Sequence, residues 1–332
     1  MSISAVAREA GVSTSTVSRF LKGELRVSPE TEARIRTAMG STGFTAPRSS
    51  VRHVALIIPE LSNPYFAQLT QAITDAAHHR DIEVSVLVSD GLEAREHRMV
   101  SACAQSSRRG ADAILFVSMT GSGALLSEVP ENFPFVVIDE KLDGELAEAR
   151  HFVGADNFEG SYRATTYLLS QGHRRIAHLA GPERLGSARD RLRGYLRALR
   201  DAGLATDPQL VLEGPYSESF GASALSRILR LDDPPTAVFA ASDIVAVGLS
   251  SAAPMHGISI PAELSLIGFD GIEQGAWVTP QLSSVVQPLA EIAKQSLDLL
   301  RTDGTQTEPT VRLLPMELKI AGSVGASTSS RS

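Results

Sequence analysis

Cysteine is nearly absent from this chain. Among 332 residues only Cys103 occurs, so no internal disulfide can form and nothing points to an oxidising compartment. Long apolar runs are missing too: none approaches the roughly 20 residues that cross a bilayer. The opening MSISAVAREA is not a basic segment followed by an apolar core. The expectation is therefore no signal peptide, no membrane and a cytoplasmic location. The chain also lacks the common catalytic strings G-x-x-x-x-G-K-[ST], G-x-S-x-G and H-E-x-x-H. TGSGALL around Gly121 misses the third glycine of a dinucleotide fingerprint. His78 and His79 are adjacent, so they face different sides of a helix and make a poor metal pair. No enzyme, no cofactor and no metal are expected.

Basic charge is scarce overall and unevenly placed. The net charge is −7. Residues 1–53 carry eight Lys/Arg against four Asp/Glu, whereas the rest carries 23 against 34. A basic head on an acidic body suits a head that meets nucleic acid.

That head starts with two short helices around a tight turn. Val6, Ala7 and Ala10 give the first a small apolar face. Gly11 and Val12 make the corner, where glycine supplies the backbone angles. Ser13 stands as N-cap of a second helix running to about Leu21. Val17, Phe20 and Leu21 fall at i, i+3 and i+4 and share its buried face. Thr14, Ser15, Ser18 and Arg19 lie mostly opposite, with Thr16 flanking them. Short hydroxyls and an arginine on an outer helix face can read a major groove. Spacing alone leaves a plain helical hairpin equally open.

Ser28-Pro29-Glu30 opens a third helix with a cap, a proline at the first position and an acid in the first turn. Ala33, Ile35, Ala38 and Met39 are expected to pack it on the first two, Gly40 to Gly43 to end it, and Phe44 to close this small core. Residues 45–53 read as a linker. From Val54 strands alternate with helices, the pattern of parallel doubly wound sheets. Two such rounds predict two Rossmann-like subdomains with a cleft at the carboxyl ends of their strands. The boundaries expected are 1–44 for the head, 45–53 for the linker and 54–321 for the core. Within the core, about 54–157 and 287–305 form one subdomain, and about 158–286 and 311–321 the other. The small polar tail 322–332 is expected to be disordered.

The string from Val6 to Thr31 resembles the opening of the LacI/GalR family of transcriptional regulators. Val6, Ala7, Ala10, Gly11, Val12, Ser13, Thr16, Val17, Ser18, Arg19, Leu21, Val27, Ser28 and Thr31 all match. In the body, Leu61–Phe66, Asp156-Asn157, Gly172–Ile176, Arg191–Tyr195, Phe239–Asp243, Gly268–Asp270 and Val286–Pro288 match as well. The resemblance implies an N-terminal all-α helix-turn-helix domain plus an α/β periplasmic-binding-protein-like core. It implies a homodimer that reads a pseudo-palindromic operator in double-stranded DNA and acts as a repressor. A small effector, a sugar or sugar derivative, would bind the interdomain cleft. The match departs in three places, one of them Lys22, which replaces the asparagine the family often has in its L-N-G turn. The linker is several residues shorter than usual and lacks the minor-groove leucine, and Gly271 stands where the family has a second aspartate. The short linker keeps an alternative open, a cytoplasmic ligand-binding protein with weak or lost operator readout.

The resemblance assigns roles to particular residues. Thr14, Ser15 and Arg19 would contact bases, and Thr16, Ser18, Arg26 and Ser28 would position the DNA backbone. Arg48 and Arg52 of the linker can meet phosphates. In the cleft, Asp270 ends an apolar strand, where a carboxylate accepts hydroxyl hydrogen bonds. Arg191 can donate its planar fork to oxygens. Tyr65, Phe66 and Tyr216 stand where an aromatic stacks on the ligand or simply packs the core. Ser242 and Asp243 line the cleft, or Asp243 caps its helix.

Overall fold

The computed structural model describes residues 3–21, 25, 27–42, 51–105, 110–300 and 308–327. Arg26, Phe44, Arg48, most of the linker and the last five residues lie outside the described residues. The chain divides into two units, a head within the first 51 residues and a core from Arg52 onward.

The head holds helices α1 (Ile3–Ala10), α2 (Thr14–Leu21) and α3 (Pro29–Thr42). Gly11 turns the chain at φ +65°, a conformation that costs glycine little. Ser13 Oγ accepts the Thr16 N–H at 2.9 Å, and Ser28 Oγ accepts the Thr31 N–H at 3.3 Å. Both helices thus start with the same side-chain cap. Val6, Ala7, Ala10, Val17, Ile35 and Ala38 form the small core, and Phe20 and Met39 pack half-buried at its rim. Ala33 is exposed, against expectation. Ile35, Ala38 and Met39, at i, i+3 and i+4, define the inward stripe of α3, and Ala33 falls off it. Helix α3 also runs through Gly40 to Thr42.

Among its described residues the core has two six-stranded sheets. The first round of chain provides β1 (His53–Ile58), α4 (Pro64–His78), β2 (Glu83–Val88), α5 (Glu93–Gln105), β3 (Ala113–Phe116), β4 (Phe135–Ile138), the one-turn α6 (Glu145–Glu148) and β5 (His151–Ala155). The second provides α7 (Asn157–Ser170), β6 (Ile176–Ala180), α8 (Gly186–Asp201), β7 (Val211–Glu213), α9 (Glu218–Ile228), β8 (Ala237–Ala240), α10 (Asp243–Ala252), β9 (Ser265–Asp270) and β10 (Ser283–Val286). Then come α11 (Leu289–Leu300), β11 (Val311–Leu314) and β12 (Glu317–Lys319). The first sheet runs β2-β1-β3-β4-β5-β11, and the second β7-β6-β8-β9-β10-β12. All pairings are parallel except β12 against β10. Central strands such as β1, β3, β8 and β9 are apolar and buried, as sheets covered by helices on both faces require.

Two boundaries differ from expectation. Residues 311–321, expected whole in the second subdomain, divide between the two sheets. Val311–Leu314 pairs with β5 in the first sheet, and Glu317–Lys319 with β10 in the second. Pro315 carries no N–H to continue a ladder, and the chain crosses there. It also crosses between subdomains after β5 and after β10, so among the described residues three segments join them. The second correction concerns the tail, which is ordered to residue 327. Ser323 Oγ accepts the Ser283 N–H at 2.8 Å, and the Leu266 N–H donates to the Ser323 carbonyl at 2.8 Å. Gly325 pairs with Ser265 and His173.

Candidate functional site

Two aspartates end central strands, one in each sheet. Asp139 follows β4 at φ +68°, and Asp270 ends β9 at φ +117°. Non-glycine residues rarely hold such angles, and those that do cluster at ligand sites. Between the two carboxylates sits Arg191 on α8. Its side chain is buried at 4 % exposure, and its Nη1 lies 3.5 Å from Asp270 Oδ1. Nε donates to Asn157 Oδ1 at 2.8 Å, and Nη1 to the Ala241 carbonyl at 2.5 Å. The guanidinium centre lies 3.9 Å from the Phe269 ring centroid, a cation–π geometry that takes the place of lost hydration. Asp270 also accepts Ser242 Oγ at 2.7 Å and Gln287 Nε2 at 3.3 Å.

Aromatic side chains complete the cluster. Asn63 caps α4 by accepting the Tyr65 N–H, and Pro64 opens the helix, which sets Tyr65 at its first turn. The Tyr65 hydroxyl faces the Asp139 carboxylate, yet among the described residues neither Tyr65 Oη nor Asp139 Oδ1 makes a well-formed hydrogen bond. Tyr216 Oη and Gln287 Oε1 are likewise buried without a partner. Gly181 leaves room for Tyr216, because a Cβ there would overlap its phenol. Tyr216 Oη and Gln287 Oε1 thus leave hydrogen-bonding capacity unmet beside Arg191 and Asp270.

Charge in the cluster is finely set. Burial pushes Asp139 up from its ordinary value, against the pull of Arg191. Burial also raises Asp270, opposed by Arg191 and by the hydroxyl of Ser242. Burial alone would lower Arg191, but Tyr216, Asp270 and Asp139 outweigh it and hold the cation firmly protonated. Tyr216 is pushed up to about 12, mainly by burial, so both phenols stay neutral.

Tyr65, Arg191, Tyr216, Ser242 and Asp270 thus come together in one cluster. Phe66 is buried beside them, its ring 5.2 Å from that of Tyr65. Asp243 does not line the cleft and does not cap its helix. Its Oδ2 accepts the Gly271 and Ile272 N–H groups at 2.7 and 2.9 Å, and its Oδ1 accepts Ser284 Oγ at 2.7 Å. It pins the turn after β9. Gly271 stands at φ +76°, and a Cβ there would meet Val286, so the aspartate usual in the family does not fit this turn.

Sequence reasoning missed Asp139, Glu140, Asn157 and Gln287 as site members. Asp139-Glu140 closes the apolar run FPFVVI, the same signal that singled out Asp270. On the head, Thr14, Ser15, Arg19 and Ser28 are exposed, and Thr16 and Ser18 half-buried. Arg52 is exposed at the start of β1, where its backbone N–H donates to Asp112 at 2.9 Å.

Residues 2–46 match the bacterial regulatory proteins of the lacI family, and residues 165–324 match the periplasmic binding protein-like domain. The HTH-type transcriptional repressor CytR of Escherichia coli K12 is 33% identical over 339 residues, spanning 97% of this chain and 95% of that protein. The chain belongs to the LacI family. Catabolite control protein A of Priestia megaterium is 30% identical, over 89% of this chain and 90% of its own length. The solved structure titled transcriptional regulator CelR-cellobiose complex superposes with a TM-score of 0.74 at 28% identity, covering 97% of this chain and 99% of that one. As a LacI-family member, this protein is a DNA-binding transcriptional regulator controlled by a small-molecule effector. Among the described residues no helix is long and apolar enough to cross a membrane.

Proposed function

We propose that the protein is a cytoplasmic homodimeric repressor whose operator affinity is set by a carbohydrate held between Asp139, Arg191 and Asp270. The convergence of these groups with the unpartnered hydroxyl of Tyr216, and with the Tyr65 hydroxyl that faces Asp139, carries the reading. Carboxylates accept sugar hydroxyls, and the neutral phenols donate or accept as the ring requires. Phe66 and Ser242 support that shell. The solved relative with cellobiose and another titled with bound ribose add weight to this chemistry.

On the head, Thr14, Ser15 and Arg19 read base edges. Thr16, Ser18, Arg26 and Ser28 hold the backbone, with Arg48 and Arg52 on phosphates. Effector that prefers one arrangement of the two subdomains shifts the protein towards it, and operator affinity follows. Nothing in this cycle breaks a covalent bond.

Selection of duplexes from a random pool by the purified full chain, at one stated salt concentration, tests the reading. An enriched pseudo-palindrome is expected, and adding cellobiose or ribose to that probe screens the effector. A pool without enrichment, with and without cell extract, would favour the ligand-binding protein that no longer reads an operator.

A further inference from the structure

Helix α8 carries Arg191, and its start is unusual. The N-cap position holds Leu185, which is buried and offers no acceptor. The first N–H groups of a helix have no partner within it. Here they are met from the opposite subdomain. Glu140, just past β4, accepts the Gly186 N–H at 2.6 Å, the Ser187 N–H at 3.2 Å and the Ser187 hydroxyl at 2.5 Å. Gly186 permits the approach, since a Cβ there would stand 2.9 Å from Glu140 Oε1. Glu140 is 2 % exposed. Nearby, Arg184 Nε reaches across to the Met119 carbonyl at 3.2 Å.

We propose that Glu140 is the closing latch of the cleft, capping α8 from the other subdomain and so positioning Arg191 against the ligand. The cap exists only while the subdomains are closed. Opening returns the Glu140 carboxyl to water and leaves the first turn of α8 unsatisfied.

The latch is proton-linked. Burial, then Asp139, push Glu140 up to about 7, against the hydrogen bonds from Ser187 and Gly186. The charged and titratable groups around it are Asp139 beside it, Tyr216 from the loop after β7, and Arg191 and Arg189 on α8. The Arg189 guanidinium is held by the Glu183 and Arg184 carbonyls, and Lys141 points away over Phe152. Exposed, the group returns towards its ordinary value of 4.5. The closed form therefore binds the extra proton, and acid favours closure. Between pH 8 and pH 6 the closing equilibrium shifts by about tenfold. The consequence for effector affinity rests on the carbohydrate reading above; the latch itself does not.

Hydrogen exchange of the full chain, without ligand, tests it. The Gly186 and Ser187 amides are followed by mass spectrometry at pH 6, 7 and 8, corrected for intrinsic exchange. In the wild type, protection is expected to rise about tenfold from pH 8 to pH 6. Glu140→Ala should remove that protection at every pH. Glu140→Gln, close in shape, should keep part of it and lose the pH profile. The amide of Phe220, capped on α9 by Ser217 of its own segment, serves as the unchanged control. Protection in Glu140→Ala equal to wild type, or a wild-type profile parallel to that of Glu140→Gln, would overturn the latch. Should Glu140→Ala not fold, the Glu140→Gln profile decides alone. Failure of every sugar to bind would sink the effector reading and leave this result standing.

Discussion

Arg191 Nη1 stands 3.5 Å from Asp270 Oδ1, with both side chains almost wholly buried. The pair sits beside a third, half-buried carboxylate, Asp139, and an aromatic ring packs under the guanidinium. Such a cluster stands on mutual compensation, because each ion loses hydration that only the others replace.

Arg191→Met should therefore be costly. It keeps the volume and removes the cation that faces Asp139 and Asp270. A loss of about 3–5 kcal/mol is expected, read as a lower midpoint in urea unfolding. Stability equal to wild type would show that the carboxylates are held by other means. Asp270→Ala should abolish effector response while operator binding persists, measured by titrating effector into the protein–DNA complex. A normal response would remove Asp270 from the site.

Arg19→Ala on α2 should weaken binding to the selected duplex by about 1–3 kcal/mol and relax preference at one base pair. Equal weakening on all sequences would make Arg19 a phosphate contact.

His178 supplies a pH prediction. Its ring is fully buried, stacked 4.9 Å from Tyr195 and 4.7 Å from Phe239, and burial pushes its value down to about 4. The unfolded chain takes up this proton near 6.5 and the fold does not. Stability from this residue is thus present above 6.5 and lost as pH falls towards 4, by about 3 kcal/mol in all. Glu140 acts in the opposite sense, losing stability as pH rises from 4.5 through 7. Chemical denaturation of His178→Gln at pH 7.5 and pH 5 isolates the term: the variant should show a smaller fall in stability than wild type on acidification.

Helices α9 and α10 touch backbone to backbone through two glycines. A Cβ on Gly221 would meet the Val245 carbonyl, and one on Gly248 the Glu218 carbonyl. Alanine is the better helix former by about 1 kcal/mol, but the clash is with backbone that cannot rotate away. Gly248→Ala should destabilise by roughly 1–3 kcal/mol, seen in the denaturation midpoint. A gain in stability would show that the helices can part freely.

Local patterns were legible in the sequence, and long-range partners were not. Gly11, Ser13 and Ser28 announce the head because turns and caps are decided within four residues. The alternation from Val54 onward announces the sheets. Asp270 and Arg191 could be named, but Asp243 could not be sorted from them. Whether a carboxylate at a strand end faces a ligand or pins a turn depends on Ile272 and Ser284, brought near by folding. Glu140 and Ser187 meet across 47 positions. The tail misled through composition: residues 322–327 are small and polar, yet their order comes from hydrogen bonds to Ser265, Leu266 and His173 rather than from apolar burial.

Among the described residues the chain passes between its two sheets three times, after β5, after β10 and between β11 and β12. Neither subdomain is one unbroken stretch of the polypeptide. No single pair of start and stop codons can express either half alone. A protease that nicks one passage leaves the halves tethered by two others, and a fragment ending at residue 286 is left without α11, β11 and β12, which complete both sheets.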